Sequence, residues 1–593
     1  MKRFLITTAL EETWSEEDPV LFLGEWCLLN SRKSLWSRMN AEVLPYHWDD
    51  RAKMRADYQY LQAFYERLLR DVAAQLNSIH AVNHSVRYWR ILIGPWLGYF
   101  VQILFDRWAS IQQAVSNYEI SSTTVLASAE DALVPPDMAG FMPLFVGDRW
   151  NHHVYSEVIG RSFGIDCVTK ACPFPPTATD VPRPRGLRRI RQPLARGYSR
   201  VAGLLARDRD AFFLSTYLPL REEVRLQRRL GQMPQLWRPV RTAPMAVDWA
   251  RRQWAVPGVA ASPYEACTRA LVARQIPIAY LEGYAELLEQ VSRLPWPKHP
   301  KVIWTSNAHI SEDVFKAWAA EKVERGAPLV IGQHGGHFGV GQWSFLEDHE
   351  TAISDAYLSW GWSDANRPNV KPVGQLTVKR PLGIRHSKQK CALLVSCTVP
   401  RQSYWMYSAI VSRQWLDYFK DQCTFVEHLP VSIRHALTVR LYRHDWGWDQ
   451  LGRWRDRFPD VRLDSGHSSI DDLVRGCRLY ISTYNATTFL EAFTMDVPSV
   501  IYWDPQFWEI RDSAVPYFDD LRRAGIFHES PESAARHVEV VWDDVDTWWG
   551  SSAVRDAVNR FKSRYCDRPD HVIDRVEDAI KRVVSSSRRG GAL

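Results

Sequence analysis

Five polar residues follow a short apolar strand, Leu479–Ile481, and lead into a predicted helix. They are Ser482, Thr483, Asn485, Thr487 and Thr488. A helix N-terminus offers free backbone N–H groups and a partial positive charge, and both favour a bound phosphate. Glu491, one turn into the helix, can accept hydrogen bonds from a ribose. Because ordinary helix capping accounts for only about two of the five polar residues, the pattern predicts a site for a nucleotide-activated sugar.

A glycine-rich turn with two histidines follows a second apolar strand, residues 328–331. The glycines between Gly332 and Gly341 let backbone N–H groups approach an anion closely. The two histidines can donate to a phosphate, stabilise a leaving group or carry a proton near neutral pH. The open alternative is a mobile turn with two surface histidines. The residues that we expect at the donor are Gln333, His334, Gly335, Gly336 and His337.

Acidic residues next to this turn supply a candidate catalytic carboxylate. We assign it to Glu347, with Asp348 and Glu350 as further candidates at the same edge of the predicted cleft. A metal site is the alternative, since His334 and His337 lie close in sequence to Glu347 and to another histidine. Zinc motifs of this kind need both histidines on one helix face, and the flanking glycines argue against a helix. We therefore expect neither a metal nor another cofactor.

A cationic group lies at the end of a third predicted strand, which begins at Leu437. Arg440, Arg443 and His444 are suited to a pyrophosphate or to the carboxylate of a sugar acid, because charge-assisted hydrogen bonds to oxyanions are strong. Salt bridges to two nearby aspartates are the alternative. The sequence favours a role in donor binding.

A mixed acidic, basic and aromatic segment follows Pro45-Tyr46 near the N-terminus. Its composition is typical of an acceptor-sugar site, with Asp49 as a candidate base and Glu11 as another. A helix N-cap with acidic residues in its first turn explains the same segment. The residues that we assign to the acceptor side are His47, Trp48, Asp50 and Arg51.

The composition limits the class of protein. A chain of 593 residues is too long for one core and predicts two or more domains. With 46% hydrophobic and 24% charged residues it is typical of soluble globular proteins. The net charge of +6 suits an anionic substrate or a membrane surface, but it is too small to indicate nucleic acid. The nine scattered cysteines form no CxxC pair, which favours a reducing cytoplasm.

Three further segments bear on location. The first ten residues predict a β-strand and not a signal peptide, since Glu11 follows at once. The apolar segment 91–105 is shorter than the roughly 20 residues of a spanning helix, and Gly94-Pro95 predicts a break in it. A buried helix pair is expected there, with an interfacial helix as the alternative. The arginines of residues 183–191 either face lipid phosphates or form a solvated loop.

Alternating apolar strands and helices predict an α/β fold with doubly wound parallel sheets. Two such blocks form a cleft at the carboxyl ends of their strands, where ligands bind. We assign residues 1–380 to an N-terminal acceptor-side domain with helical insertions, residues 381–550 to a C-terminal nucleotide-sugar domain, and residues 551–593 to a terminal helix and frayed tail. Other predicted elements are a strand over Phe4–Ala9 and helices over residues 52–82, 97–118 and 405–419.

Several segments together resemble a family of bacterial surface-polysaccharide (O-antigen) transferases. They are residues 4–14, 22–27, 45–51, 88–97, 333–336 and 485–491. That family is similar to capsular transferases that use CMP-activated nonulosonic or Kdo-type acids. The resemblance implies a metal-independent GT-B glycosyltransferase at the cytoplasmic face of the inner membrane. It also implies a CMP-sugar donor such as CMP-pseudaminic acid, and a glycan or lipid-linked glycan acceptor.

Other functions remain open beside this glycosyltransferase. A polyol-phosphate transferase with a CDP-activated donor would share the cleft, and so would a sugar-nucleotide epimerase. A non-catalytic assembly subunit of a polysaccharide export complex would use the aromatic residues and the apolar segment 91–105 for docking. In the glycosyltransferase hypothesis His334 stabilises the departing CMP phosphate, and a carboxylate acts on the acceptor hydroxyl.

Overall fold

The computed structural model describes residues 2–127, 133–171, 206–377 and 391–590. In this part of the chain, strands form three sheets in which every neighbouring pair is parallel. The α/β class with parallel sheets is thereby confirmed. The arginines of residues 183–191, the proposed boundary at residues 380–381 and the last three residues lie outside the described residues.

The strands of each sheet are consecutive in the chain. The first sheet contains β1 (Arg3–Ile6), β2 (Val20–Phe22), β3 (Ala41–Val43), β4 (Ile120–Ala127) and β5 (Asp166–Ala171). The second contains β6 (Phe212–Leu214), β7 (Ile303–Thr305), β8 (Leu329–Gly332), β9 (Ala356–Ser359) and β10 (Val370–Pro372). The third contains β11 (Ala392–Val395), β12 (Leu437–Arg440), β13 (Arg462–Asp464), β14 (Leu479–Ser482), β15 (Ser499–Tyr502) and β16 (Phe527–His528).

The order of the strands locates candidate ligand crevices, and the first sheet, β3-β2-β1-β4-β5, reverses its winding between β1 and β4. In the third sheet the order is β13-β12-β11-β14-β15-β16, so the direction of winding reverses between β11 and β14. Ligands of such sheets bind at the carboxyl ends of the two strands beside this reversal. The second sheet runs in the simple order β10-β9-β8-β7-β6 and has no reversal. Its fully buried central strands are apolar, as expected for a sheet covered on both faces.

Helices connect and cover these sheets. Those before the third sheet are α1 (Lys33–Trp36), α2 (Arg51–His80), α3 (Val86–Asn117), α4 (Met138–Phe145), α5 (Asp148–Ser162), α6 (Leu220–Arg229), α7 (Pro263–Gln275), α8 (Tyr284–Ser292), α9 (Ala308–Ser311), α10 (Asp313–Glu324) and α11 (Phe345–Ile353). The later ones are α12 (Gln414–Glu427), α13 (Val431–His435), α14 (Gln450–Arg457), α15 (Ile470–Gly476), α16 (Thr487–Thr494), α17 (Val515–Arg523), α18 (Pro531–Val541), α19 (Val545–Gly550), α20 (Ser552–Tyr565) and α21 (Val572–Gly590).

The apolar segment 91–105 lies inside α3 and is buried along its whole length. The predicted break at Gly94-Pro95 is wrong, because α3 continues through both residues. Close packing explains why α3 tolerates a glycine and a proline at this point. A Cβ on Gly94 would lie 2.8 Å from the His349 ring and 2.9 Å from the Tyr65 hydroxyl. Neighbouring elements therefore hold the helix together where the proline removes one hydrogen bond. Across the described ranges, no helix combines the length and the apolar character needed to cross a membrane.

The segment before α12 departs from the predicted helix over residues 405–419. The helix begins only at Gln414, and the preceding residues pair with the start of α11. The Phe345 N–H donates to the Met406 carbonyl at 3.1 Å, and the Ser408 N–H donates to the Trp343 carbonyl at 3.0 Å. These backbone hydrogen bonds to a distant segment replace the local ones of a helix.

A buried polar network joins α3 to the segment that follows β11. The Arg107 guanidinium donates to Asn151 Oδ1 at 2.8 and 2.9 Å and to the Ser403 carbonyl at 2.8 Å. Asp106 accepts from the Tyr46 hydroxyl at 2.7 Å and lies 3.1 Å from His47 Nε2. Burial opposes ionisation of Asp106, but the adjacent guanidinium and His47 lower its pKa to about 2. The network fixes a charged cluster between the first sheet and the third.

Replacing Gly98 by alanine is expected to destabilise the protein by about 1–3 kcal/mol, since overpacking a core has this cost. A Cβ on Gly98 in α3 would lie 1.8 Å from the buried Phe345 ring. Urea unfolding measures the effect. Gly160→Ala in α5 is the matched control, because a Cβ there meets nothing within 4 Å. Equal stability of the two variants would contradict the packing of α3 against α11.

Candidate active site

The glycine-rich turn after β8 packs directly on the start of α16. The Gly336 N–H donates to Thr487 Oγ1 at 3.0 Å. A Cβ on Gly336 would lie 2.9 Å from the Ala486 backbone and 2.6 Å from Leu490. Only glycine fits where the backbone of the turn comes so close to the backbone of Ala486. The turn and the helix N-terminus therefore form one continuous surface between the second and third sheets.

Gln333 builds the turn from within. Its Nε2 donates to the Gly335 carbonyl at 2.8 Å, while its Oε1 accepts from the Trp360 N–H and from Trp362 Nε1, both at 2.8 Å. The side chain is buried, with all of these partners inside the fold. Gln333 therefore positions Gly335 and its neighbours, and its amide is committed to the turn.

His334 and a buried carboxyl group form the central pair of the site. Glu350 of α11 is fully buried, and its Oε1 lies 3.5 Å from His334 Nδ1 and 3.2 Å from His309 Nε2. The His334 side chain keeps 17% of its surface exposed, so it is the member of this group that reaches the cleft.

Burial sets the charge of this cluster. It raises the pKa of Glu350 to about 8, against the opposing effect of His334. Burial also lowers the pKa of His309 to about 3 and lowers the pKa of His334. A protonated Glu350 and two uncharged imidazoles are the expected state near neutral pH. An uncharged His334 is able to accept a proton.

His337 lies on the other side of the turn, at the contact with the third-sheet part of the chain. Its ring stands edge-on to Tyr407, with centroids 5.1 Å apart. Burial, with the nearby Arg511 guanidinium adding to it, lowers the pKa of His337 to about 4. A Cβ on Gly341 would lie 2.1 Å from this ring, so the glycine at this position lets the turn enclose the imidazole.

The carboxylate of Glu347 is occupied by structural contacts. Its Oε1 pairs with Arg367 at 3.0 Å and with Arg511, and its Oε2 accepts from the Gly339 N–H at 2.7 Å. Glu347 thus clamps the turn to the segment around Arg511. Glu350, one helical turn further along α11, is the carboxyl group in contact with His334. Both residues lie on the same side of α11. Glu347 contacts Arg367 and Arg511, whereas Glu350 contacts His334, and the spacing in the sequence does not show this difference.

Two of the polar residues after β14 are tied into the crevice beside β11. Thr483 Oγ1 donates to the Val395 carbonyl at 3.0 Å and also contacts the Tyr418 hydroxyl. Ser482 Oγ donates to the Tyr484 carbonyl at 3.3 Å. These hydroxyl groups shape the floor of the crevice at the reversal of strand order.

The remaining polar residues of that segment surround the start of α16. Asn485 is buried, and neither side-chain polar atom has a hydrogen-bond partner among the residues that the structure describes. No side chain caps α16, because its N-cap residue is Ala486. Thr487 and Thr488 are half-buried at its first turn, and Glu491 is half-buried one turn later. A buried amide without a partner is costly unless a ligand satisfies it, so this helix N-terminus is a candidate anion site.

The cationic residues at the end of β12 divide into two kinds. Arg440 pairs with Asp464 at 2.9 Å and donates to the Ser468 carbonyl at 2.9 Å, so it braces the neighbouring loop. Arg443 and His444 are exposed. The described chain contains no ion pair for either of these two residues. Arg443 is a cation that remains available to a ligand, and the His444 imidazole is exposed beside it.

The residues assigned to the acceptor side lie in contacts between α2 and the α12 region. Arg51 pairs with Glu509 at 2.8 Å, and Asp50 caps α2 by accepting from the Lys53 N–H at 3.0 Å. Trp48 Nε1 donates to Asp57 at 2.9 Å. These partners lock the segment in place, and His47 joins the network around Asp106.

The two other candidate bases are also engaged elsewhere. Asp49 pairs with Arg413, and burial raises its pKa despite that partner. Glu11 pairs with Arg32 at 2.5 and 2.7 Å, and the hydrogen bond from Arg32 lowers its pKa. No contact joins either carboxylate to His334 in the described part of the chain. Their catalytic role stays a prediction.

Aromatic side chains lie beside the two histidines of the turn, Tyr217 next to His334 and Tyr407 next to His337. The Tyr217 ring is nearly parallel to the His334 ring, with centroids 6.4 Å apart, and Trp405 stacks on Tyr407 at 4.1 Å. Tyr217 is 41% exposed and has a φ of 63°, a strained conformation for a bulky residue. Exposed rings of this kind stack on sugars. The sequence reasoning missed these residues, and the only signal was the high aromatic content.

A metal site has no support in the described chain. In the residues that the structure describes, no group of three or more His, Cys, Asp or Glu side chains is arranged to hold a metal ion.

These features define an α/β protein whose cleft lies at the carboxyl ends of parallel strands, between a histidine-bearing turn and a helix N-terminus. A family model for LIC12162 family transferases matches residues 3–580, and the chain belongs to this family. No curated protein sequence matches it.

Some solved structures share a remote likeness with the chain. The wall teichoic acid polymerase TagF is 10% identical, with a TM-score of 0.28, over 49% of this chain and 75% of that one. MurG of Acinetobacter baumannii is 12% identical, with a TM-score of 0.32, over 63% of this chain and 99% of that one. WaaG, a glycosyltransferase involved in lipopolysaccharide biosynthesis, is 13% identical, with a TM-score of 0.26, over 50% of this chain and 95% of that one.

Replacing Glu350 by glutamine is expected to flatten the dependence of stability on pH between about pH 5 and pH 8. The native carboxyl keeps its proton up to about pH 8, whereas a carboxyl with the ordinary pKa of 4.5 loses it in the unfolded chain. The native state therefore binds more protons, and its free energy of unfolding falls as pH rises through this window. The measurement is urea unfolding of the wild-type protein and of the variant at each pH. The buried histidines have the opposite effect on stability, and that effect cancels in the difference between the two proteins. Parallel curves would contradict a protonated, buried Glu350.

Proposed function

We propose that the protein is a GT-B glycosyltransferase that transfers a nonulosonic acid, such as pseudaminic acid, from a CMP-activated donor to a surface-polysaccharide acceptor. The observation that carries the proposal is the contact of Gly336 with Thr487, which brings His334 and the N-terminus of α16 to one cleft. Membership of a transferase family and the resemblance of the sequence segments support group transfer. The acceptor is a glycan or lipid-linked glycan, met at the cytoplasmic face of the inner membrane.

The donor phosphate binds at the start of α16. The free N–H groups of its first turn and the Thr487 hydroxyl donate to the phosphate oxygens, while Thr488 Oγ1, at the same turn, donates to the Tyr484 hydroxyl at 3.1 Å. Asn485 supplies the buried amide that has no other partner in the described chain. Arg443 and His444, exposed at the end of β12, bind the carboxylate of the sugar acid.

Transfer needs a proton acceptor and a stabilised leaving group. The acceptor hydroxyl oxygen attacks the anomeric carbon of the donor, the bond from that carbon to the phosphate oxygen breaks, and CMP leaves. The hydroxyl proton passes to His334, whose Nδ1 lies 3.5 Å from Glu350 Oε1. The helix N-terminus offsets the charge that develops on CMP. This changes the sequence-based hypothesis, in which a carboxylate acts on the acceptor hydroxyl and His334 stabilises the departing phosphate: here His334 takes the proton, and Glu350, in place of Glu347, is the carboxyl group beside it.

Binding of nucleotides tests the donor class. Calorimetry of the purified protein with CMP, CDP, UDP and GDP, without added metal, is expected to show tight and selective binding of CMP. Preference for UDP or GDP would discard the CMP-sugar donor. A product that retains phosphate from a CDP-activated donor would instead identify a polyol-phosphate transferase, and consumption of donor without acceptor would identify an epimerase.

Replacing His334 by alanine is expected to lower kcat more than tenfold, because general-base catalysis contributes about 10²–10⁴-fold. The measurement is CMP release with donor and acceptor present. The fold is expected to survive, since the imidazole is partly exposed.

The matched control is His435→Ala, which removes an exposed imidazole, with 62% of its side-chain surface accessible, on the far side of the third sheet. This variant is expected to keep wild-type turnover. Retained turnover in His334→Ala would exclude His334 from the mechanism. The conclusion on nucleotide binding would not depend on that result.

A further inference from the structure

A second cavity lies at the amino ends of β7 and β8, away from the candidate active site. Its volume is about 480 Å³, within the range of about 300–1,000 Å³ that small-molecule sites occupy. Six basic residues line it, and no Asp or Glu is among its lining residues. They are Arg209, Lys298, His299, Lys301, Lys322 and Arg325.

The charges around this cavity are poorly balanced within the described chain. Glu321, just outside the lining, pairs with Lys322 at 3.2 Å and with Arg325 at 2.7 Å, so one carboxylate serves two cations. The described residues provide no ion pair for Arg209 or Lys298, and both side chains are exposed. The Lys322 side chain keeps only 9% of its surface accessible, so a cation is held inside the cavity wall.

The geometry of α10 explains part of this cluster. The helix ends at Glu324 beside the cavity, and cations near a helix C-terminus complement its partial negative charge. That accounts for Lys322 and Arg325, which belong to the end of the helix. Arg209 and Lys298 come from other segments and bring their charges to the same cavity without such a partner. Like charges gathered in a concave site repel each other and favour a bound anion.

We propose that this cavity binds a phosphate group, presented by an anionic lipid headgroup or by a free phosphorylated compound. A phosphate monoester carries about −1.5 to −2 charge and three strong acceptor oxygens, which match a ring of lysine and arginine donors, and the phosphodiester of a lipid headgroup presents a single negative charge to the same donors. The cavity and the active-site cleft lie at opposite ends of the strands of the second sheet. Binding here is therefore separate from binding of the donor.

The test uses the double variant Arg209→Gln, Lys298→Gln, because both exposed side chains can be neutralised without disturbing the core. The probes are inorganic pyrophosphate in calorimetry, and vesicles of phosphatidylglycerol and phosphatidylcholine in sedimentation. We expect the wild-type protein to bind pyrophosphate and the double variant to bind it about tenfold more weakly, since each cation near a phosphate contributes substantially to affinity. The control is Arg455→Gln, Arg462→Gln, which removes two exposed cations from the third-sheet part of the chain.

Each result decides between sources or overturns the proposal. Loss of both pyrophosphate and vesicle binding in the cavity variant alone supports the site and identifies the lipid headgroup. Loss of pyrophosphate binding, with no vesicle binding by any form, supports the site and identifies a free phosphorylated compound. Unchanged binding in the cavity variant, equal loss in the control variant, or no binding by the wild-type protein overturns the proposal.

Discussion

The close approach of the glycine-rich turn to α16 is the constraint on which the candidate site depends. At Gly336 the backbone of one sheet region touches the backbone of another, and the N–H of Gly336 is satisfied by Thr487 Oγ1 at 3.0 Å. The clamp from Glu347 to Arg511 and the pairing of residues 343–345 with residues 406–408 hold this contact from outside. Side chains that are far apart in the chain are thereby brought together at the junction of the second and third sheets.

Burial gives the cleft its acid–base character. Glu350 is a carboxyl group without access to water, His309 is a buried imidazole and His334 is a largely buried one, so each group favours its uncharged form. Only His334 of these three reaches the cleft surface. The arrangement keeps a proton acceptor uncharged near neutral pH and leaves positive charge to the N-terminus of α16 and to the exposed Arg443, which follows β12.

Local patterns predicted the elements well where one physical signal dominated. The apolar periodicity over residues 52–82 corresponds to α2 (Arg51–His80), and the apolar run before Ser482 corresponds to β14. Predictions were wrong where tertiary contacts overrode local preference. Packing around Gly94 keeps α3 continuous through its proline, and pairing with residues 343–345 holds residues 405–408 out of a helix.

The sequence predicted only part of the candidate site. Strand ends followed by polar residues located His334 and Thr487, because parallel strands bring their carboxyl ends to one edge. The choice between Glu347 and Glu350 depends on which oxygen meets Arg511 and which meets His334, and spacing on one helix does not contain that information. Tyr217 lies on a loop after β6 and carries no motif. The number of sheets formed by the residues before 380 also depends on which strands pair. The alternation of strands and helices in the sequence does not show that pairing.

Hydrogen–deuterium exchange with and without CMP tests the central claim most directly, namely that one ligand is held from both sides of the contact at Gly336. The account predicts slower exchange on CMP binding in two separate peptides, one covering residues 333–341 and one covering residues 484–491. Protection of the second peptide with unchanged exchange in the first would contradict a shared site. It would leave the turn and its histidines without a role in donor binding.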